Sequence, residues 1–228
     1  MSAVIMEPVI SSGGFVMPPI GWLRAVRAIC DELDVLMIAD EVITGFGRTG
    51  RWFAVEHDGI VPDLMSVAKG ITSGYIPLSA SIARGRLADA FPGDATQENV
   101  HPNTYAAHPV ACAAALATIQ LLEEGLVKNA ATVGEFLKNE LMALQSRRRE
   151  SSDVRGLGLM IGVEFERNDG SHAPDAKLRD RVMQKCFEKG LLLLSCGEST
   201  LRFCPPLIVT EKEAGVAVTL FELSLIHI

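Results

Sequence analysis

Two ionisable residues stand out because each closes an apolar run. Asp40 follows Val35-Leu36-Met37-Ile38-Ala39, and Lys69 follows Leu64-Met65-Ser66-Val67-Ala68. Apolar runs of this kind read as strands buried on both faces, as in a parallel sheet. Ligands of open α/β sheets bind beyond the carboxyl ends of the strands. Neighbouring strands would therefore bring an acid and an amine to one crevice. A lysine in a dry crevice is a Schiff-base nucleophile. A carboxylate facing a heteroaromatic nitrogen keeps that nitrogen protonated and strengthens the ring as an electron sink. These are the two protein groups that a pyridoxal 5′-phosphate (PLP) site requires. Spacing alone also allows a plainer pair, a surface lysine and a helix-capping aspartate.

Other chemistries find less support. Gly45-x-Gly47-x-x-Gly50 satisfies a dinucleotide fingerprint and follows a strand, so an NAD-dependent oxidoreductase is the competing enzyme reading. That fingerprint should open a long helix and lead to a second strand ending in an acid. Here Pro62 follows a short stretch, Arg51–His57, and the next apolar run ends in Lys69. His57, His101, His108, His172 and His227 show no metal-ligand spacing. No G-x-S-x-G elbow occurs.

The elements that would position Asp40 and Lys69 follow from periodicity. Ala3–Met6 reads as a strand, and Trp22, Leu23, Val26, Ile29, Cys30 and Leu33 recur at helical spacing. With Val35–Ala39 they make a β-α-β unit. Leu64–Ala68 and Leu78–Ala83 read as further strands, and Pro109–Leu122 and Leu126–Leu144 as helices. Beyond residue 150 the texture changes. Val154–Glu166 is glycine-rich and strand-like, Leu191–Ser195 and Leu201–Phe203 are short strands, and Ala176–Glu188 and Glu211–Leu223 are helices. We expect a doubly wound α/β region over 1–148 and a small α+β region over 149–228. The last six residues, Leu223 to Ile228, break the helical pattern and read as a scar.

Composition narrows the class further. The chain has 228 residues and a net charge of −7, with 48% hydrophobic and 21% charged residues, as in ordinary globular proteins. Arg147-Arg148-Arg149 is the one basic run, and Glu150 and Asp153 follow it, so nucleic-acid binding is not expected. No unbroken apolar run approaches the ~20 residues of a membrane span. The start of the chain has no basic region typical of a signal peptide. Five cysteines without a C-x-x-C pair suggest reduced thiols and a cytoplasmic protein.

Longer motifs add a family resemblance. Ile38-Ala39-Asp40-Glu41-Val42-Ile43-Thr44-Gly45-Phe46-Gly47-Arg48-Thr49-Gly50, followed by Pro62-Asp63-Leu64-Met65-Ser66-Val67-Ala68-Lys69-Gly70, resembles the signature of class III aminotransferases. Glu7-Pro8-Val9, Asn103-Thr104-Tyr105, Asp153-Val154-Arg155-Gly156-Leu157-Gly158 and Leu201-Arg202-Phe203-Cys204-Pro205-Pro206-Leu207 extend the likeness in the right order. The resemblance implies PLP-dependent transferase fold type I, with part of the large domain followed by the small C-terminal domain. It implies that Lys69 forms the internal aldimine and shuttles the 1,3-proton, that Asp40 pairs with the pyridine nitrogen, and that Val42 packs on one ring face. Thr104 would bind the cofactor phosphate across the interface of a homodimer. Arg202 would clamp the substrate carboxylate, a role suited to the guanidinium fork. Glu7 reads equally as support behind these groups and as a plain strand-end carboxylate.

Departures from the family pattern refine the substrate expectation. Members acting on 4-aminobutyrate or ornithine with 2-oxoglutarate usually carry a second Glu in the loop after Glu-Pro, and often Gln after Asp-Glu-Val. Ser12 and Ile43 stand at those positions. The pattern looks more like ω-amino acid:pyruvate aminotransferases. Family members are about twice this length and carry a phosphate-cupping loop and a ring-stacking aromatic upstream. The resemblance therefore implies a C-terminal half that binds PLP weakly on its own, or an inactive truncated chain.

Overall fold

The computed structural model describes residues 1–91, 103–147 and 151–226. The first sheet contains β1 (Ala3–Met6), β2 (Leu36–Asp40), β3 (Leu64–Val67) and β4 (Ala80–Ala83), in that spatial order. β1, β2 and β3 are parallel, with Met6 opposite Ala39 and Asp40 opposite Ser66. β4 runs antiparallel on the edge and is exposed along its length. Helix α1 (Trp22–Glu32) connects β1 to β2 and buries Leu23 and Cys30 against Met37, Ala39, Val55 and Ile60. Its fully apolar neighbours on the sheet explain why a helix so polar on its outer side is held in place.

After the short helix α2 (Gly85–Ala88), the expected helix pair forms α3 (Pro109–Leu121) and α4 (Val127–Arg147). A π turn over Leu122–Leu126 joins them, kinked at Gly125 with φ 138°. A glycine adopts this angle without the clash that a Cβ would bring. α3 is apolar around its circumference and leaves Val110, Leu116 and Leu121 exposed. By length and apolarity alone, Pro109–Arg147 is also long enough to cross a membrane, which the shorter unbroken runs did not suggest.

The second sheet is antiparallel: β5 (Asp153–Leu157), β6 (Met160–Glu164), β8 (Thr200–Phe203) and β7 (Leu194–Cys196), in that order. It shares a core with α4, α5 (Ala176–Glu188) and α6 (Glu211–Ile226). Leu137, Leu141 and Leu144 of α4 lie in that core, so the packing runs across the division drawn at 148/149. The contact between α4 and the β5–β6 turn is made without side chains. A Cβ on Gly134 would fall 2.2 Å from the Gly158 carbonyl carbon, and one on Gly158 would fall 2.4 Å from that of Thr49.

The end of the chain corrects one expectation. α6 continues to Ile226, with Ser224 and Leu225 fully buried. The Ser224 hydroxyl satisfies itself on the Leu220 carbonyl at 2.7 Å. That internal bond lets a serine enter an apolar interface, which the pattern alone reads as a break. His227 and Ile228 lie outside the described residues.

Candidate active site

The parallel register brings three of the expected residues to one edge. Met6 and Ala39 pair, so Glu7 and Asp40 leave neighbouring strands side by side. Asp40 pairs with Ser66, three residues before Lys69. Asp40 is half-buried, and its Oδ1 accepts from the Val42 amide at 3.0 Å. Its Oδ2 has no hydrogen-bond partner among the described residues. The same bond fixes Val42, also half-buried, beside the carboxylate.

Lys69 opens a 3₁₀ turn, Lys69–Thr72, with φ 45°. This left-handed backbone costs a residue with a Cβ about 1–2 kcal/mol. Such strain persists where the surrounding packing imposes it, and it concentrates at functional sites. Lys69 is exposed, so the dry environment expected of it is not supplied by the described residues around it. The chain leaves β3 at Val67 and enters this turn two residues later.

Glu7 turns back on its own loop. Its Oε2 accepts from the Ser11 amide at 3.1 Å and from the Ser11 hydroxyl. That loop then crosses to the second sheet: Gly197 donates to the Ser12 carbonyl at 2.9 Å, and Arg155 Nη2 to the Gly14 carbonyl at 2.6 Å. Arg202 lies on β8 between Gly162 and Leu194. Leu201 and Phe203 enter the second core, so alternation puts Arg202 on the face shared with Thr200, against which Gly14 packs. Arg202 is half-buried and has no carboxylate within ion-pair distance among the described residues. Thr104 sits in an exposed turn and makes no hydrogen bond to Asp40 or Lys69 among the described residues.

Two residues without an expected role prove central to this geometry. Glu41 is fully buried and accepts from the Ala54 amide at 3.0 Å, the Val55 amide at 2.9 Å and the Thr44 hydroxyl. Burial pushes its pKa up, and the three hydrogen bonds oppose that rise without cancelling it. Arg48 donates from Nη1 to the Leu159 carbonyl at 3.0 Å and the Pro205 carbonyl at 2.7 Å. It ties the turn after Asp40 to the strand pair that carries Arg202, and burial lowers its pKa. A charged residue inside an apolar, glycine-rich run was the available signal for both.

The glycine fingerprint has a different use. Gly47 and Gly50 have φ 85° and 82°, and the chain continues into a four-residue 3₁₀ turn, Ala54–His57, not a long helix. The Gly45, Gly47 and Gly50 amides donate to Glu41, Trp52 and Gly47 carbonyls, so none is free to cradle a pyrophosphate. A Cβ on Gly50 would fall 2.9 Å from Ala131 Cα, which makes close packing the reason for that glycine. The dinucleotide reading fails on this geometry. Among the described residues, no three His, Cys, Asp or Glu side chains gather as a metal site would require.

Comparison with known proteins identifies the family. The family described as Aminotransferase class-III matches residues 1–225. The omega-aminotransferase of Caulobacter vibrioides is 44% identical over 93% of this chain and 48% of its own length. The 5-aminovalerate aminotransferase of Pseudomonas putida is 43% identical over 96% and 51%. A Bacillus anthracis aminotransferase superposes with a TM-score of 0.95 at 33% identity, over 100% of this chain and 53% of its own. A PLP-bound amine transaminase from an uncultivated Pseudomonas species gives 0.93 at 38% identity, over 99% and 52%. The chain spans about half the length of the curated relatives it matches. It belongs to the class III aminotransferase family, whose members use PLP, and its fold is that of the fold type I transferases.

Proposed function

We propose that this chain carries the lysine, carboxylate and arginine of a PLP-dependent transaminase site. The reaction moves an amino group from an ω-amino acid or amine to a 2-oxo acid, with pyruvate favoured over 2-oxoglutarate. One observation carries this reading: Asp40 and the turn bearing Lys69 leave adjacent parallel strands at the same edge. The donor set fits the cofactor. The free Oδ2 of Asp40 suits a protonated ring nitrogen, and the Lys69 amine suits an aldehyde carbon.

When bound, PLP supplies an electron sink for the bond broken at the substrate carbon. Asp40 would hold the proton on the ring nitrogen, and Val42 would pack on one ring face. Thr104 would donate to the cofactor phosphate across a homodimer interface. Lys69 Nζ would hold the cofactor through its amine and would serve as the group that moves a proton at the substrate carbon. Arg202 takes the substrate carboxylate with its guanidinium fork. Glu7 holds the loop that lies against the Arg202 face.

Ser12 and Ile43 support the pyruvate preference, since Ser12 offers no carboxylate to neutralise an arginine and Ile43 stands where 2-oxoglutarate-using members often carry Gln. The omega-aminotransferase relative supports the same class of donor. The exposed apolar face of α3 supports a homodimer, and five unbridged cysteines support a cytoplasmic setting. The exposure of Lys69 favours a second reading, in which the chain by itself holds PLP weakly and is inactive. Borohydride reduction with PLP, followed by peptide mass mapping, separates the two. Label confined to Lys69 supports the transaminase site, and scattered or absent label supports the inactive chain.

A further inference from the structure

Glu41 joins four segments that the proposed chemistry must keep in register. Its peptide bond leads from Asp40, and its own amide donates to the Ser66 carbonyl at 2.9 Å, on the strand that leads to Lys69. Its carbonyl accepts from the Gly45 amide at 3.0 Å, which closes the turn after Asp40. Its carboxylate accepts from Thr44 in that turn and from Ala54 and Val55 at the next. The turn is tight: a Cβ on Gly45 would fall 2.8 Å from the Glu41 carbonyl oxygen. The turn also abuts the lysine. A Cβ on Gly70 would fall 3.0 Å from Phe46 Cβ and 3.5 Å from the Gly45 carbonyl oxygen. The packed face of the strained Lys69–Gly70 turn is therefore the turn that Glu41 closes.

We infer that Glu41 is a positioning residue: by clamping the Thr44–Phe46 turn against Gly70, it holds the Lys69 amine and the Asp40 carboxylate at one separation. The inference rests on the transaminase reading for what those two groups bind. A carboxylate is required because three donors converge on it. A glutamine has one acceptor oxygen and would set its own N–H against at least one of them. Among the described residues no lysine or arginine lies within ion-pair distance of Glu41, so its hold on the turn comes from these neutral donors alone.

The test compares the parent chain with Glu41→Gln, the milder Thr44→Val, and Leu141→Val as a control for lost stability in the second core. Each is mixed with PLP, and two quantities are read: the rate of borohydride-trapped label at Lys69, and the pH at which bound PLP changes its visible absorption. Glu41→Gln should label Lys69 about tenfold more slowly, the loss expected when one buried donor is left without an acceptor. Its absorption midpoint should move as well. Thr44→Val should follow in the same direction by less, and Leu141→Val should leave both readings at the parent value. Parent-like labelling and midpoint in Glu41→Gln overturn the inference while the transaminase reading stands. An equal loss in Leu141→Val overturns it too, because ordinary destabilisation then explains the effect. No Lys69 label in the parent chain overturns the transaminase reading and this inference together.

Discussion

Two carboxylates are sealed inside the first sheet, at opposite ends of its strands, and they are held in opposite ways. Asp63 immediately precedes β3, and Glu41 immediately follows β2. Both are fully buried. Arg27 and Arg86 each reach Asp63 at 2.6 Å, and the Met37 amide donates to it at 2.9 Å. Burial alone would raise its pKa, but the Met37 amide and the two arginines hold it down at about 2. Glu41 has hydrogen bonds of similar number and, among the described residues, no cation within ion-pair distance, and its pKa is raised. At the strand starts, charge is neutralised by charge. At the strand ends, Glu41 is held by neutral donors alone among the described residues.

The comparison can be broken most sharply at its charged end. Asp63→Asn leaves the buried Arg27 with only the exposed Asp31 as an ion-pair partner, at 2.7 Å, and should cost about 3 kcal/mol, read from urea unfolding. The acid limb of the stability curve should carry the same signature. Asp63 is depressed from 3.8 to about 2. Its stabilisation is complete above pH 3.8 and is lost as the pH falls towards 2, about 2 kcal/mol in all. That limb should shrink in Asp63→Asn.

At the other end the effects are smaller and the sign reverses. Glu41→Gln should cost roughly 1–2 kcal/mol through one unmatched buried donor. A raised folded pKa means that Glu41 favours the fold below pH 4.5 and that this contribution is lost as the pH rises through the raised value. The Gln variant should lack this decline, so its stability relative to the parent should improve with rising pH across that window. Smallest is Lys69→Gly, which should raise stability by roughly 1 kcal/mol by relieving the left-handed backbone. The same change should abolish PLP labelling at that position. A parent-like melting temperature in Lys69→Gly would argue against the strain.

Much of this arrangement can be read along the chain, and the remainder cannot for physical reasons. Asp40 and Lys69 are legible because each ends a buried strand, so their placement depends on short-range pattern and parallel pairing alone. The pairing of Asp63 with Arg27 spans 36 positions and is invisible to periodicity. Glu41 stands in plain view beside Asp40, yet its partners Ala54 and Val55 are backbone amides, which sequence does not distinguish. The left-handed angle at Lys69 has no signal in residue type. The helix end is not legible in the pattern, because the hydroxyl of Ser224 is satisfied inside the helix on the Leu220 carbonyl.

The glycine contact between α4 and the β5–β6 turn sets which pieces of this protein can be exchanged as parts. Gly158 meets Gly134 on one side and the Thr49–Gly50 peptide on the other, backbone against backbone. There are no rotamers at such a joint to absorb a mismatch. A chimera with a relative should tolerate crossovers in surface loops, provided that the loop through Gly50, the helix through Gly134 and the hairpin through Gly158 come from one parent. These three segments lie far apart along the chain, yet they behave as a single unit of inheritance.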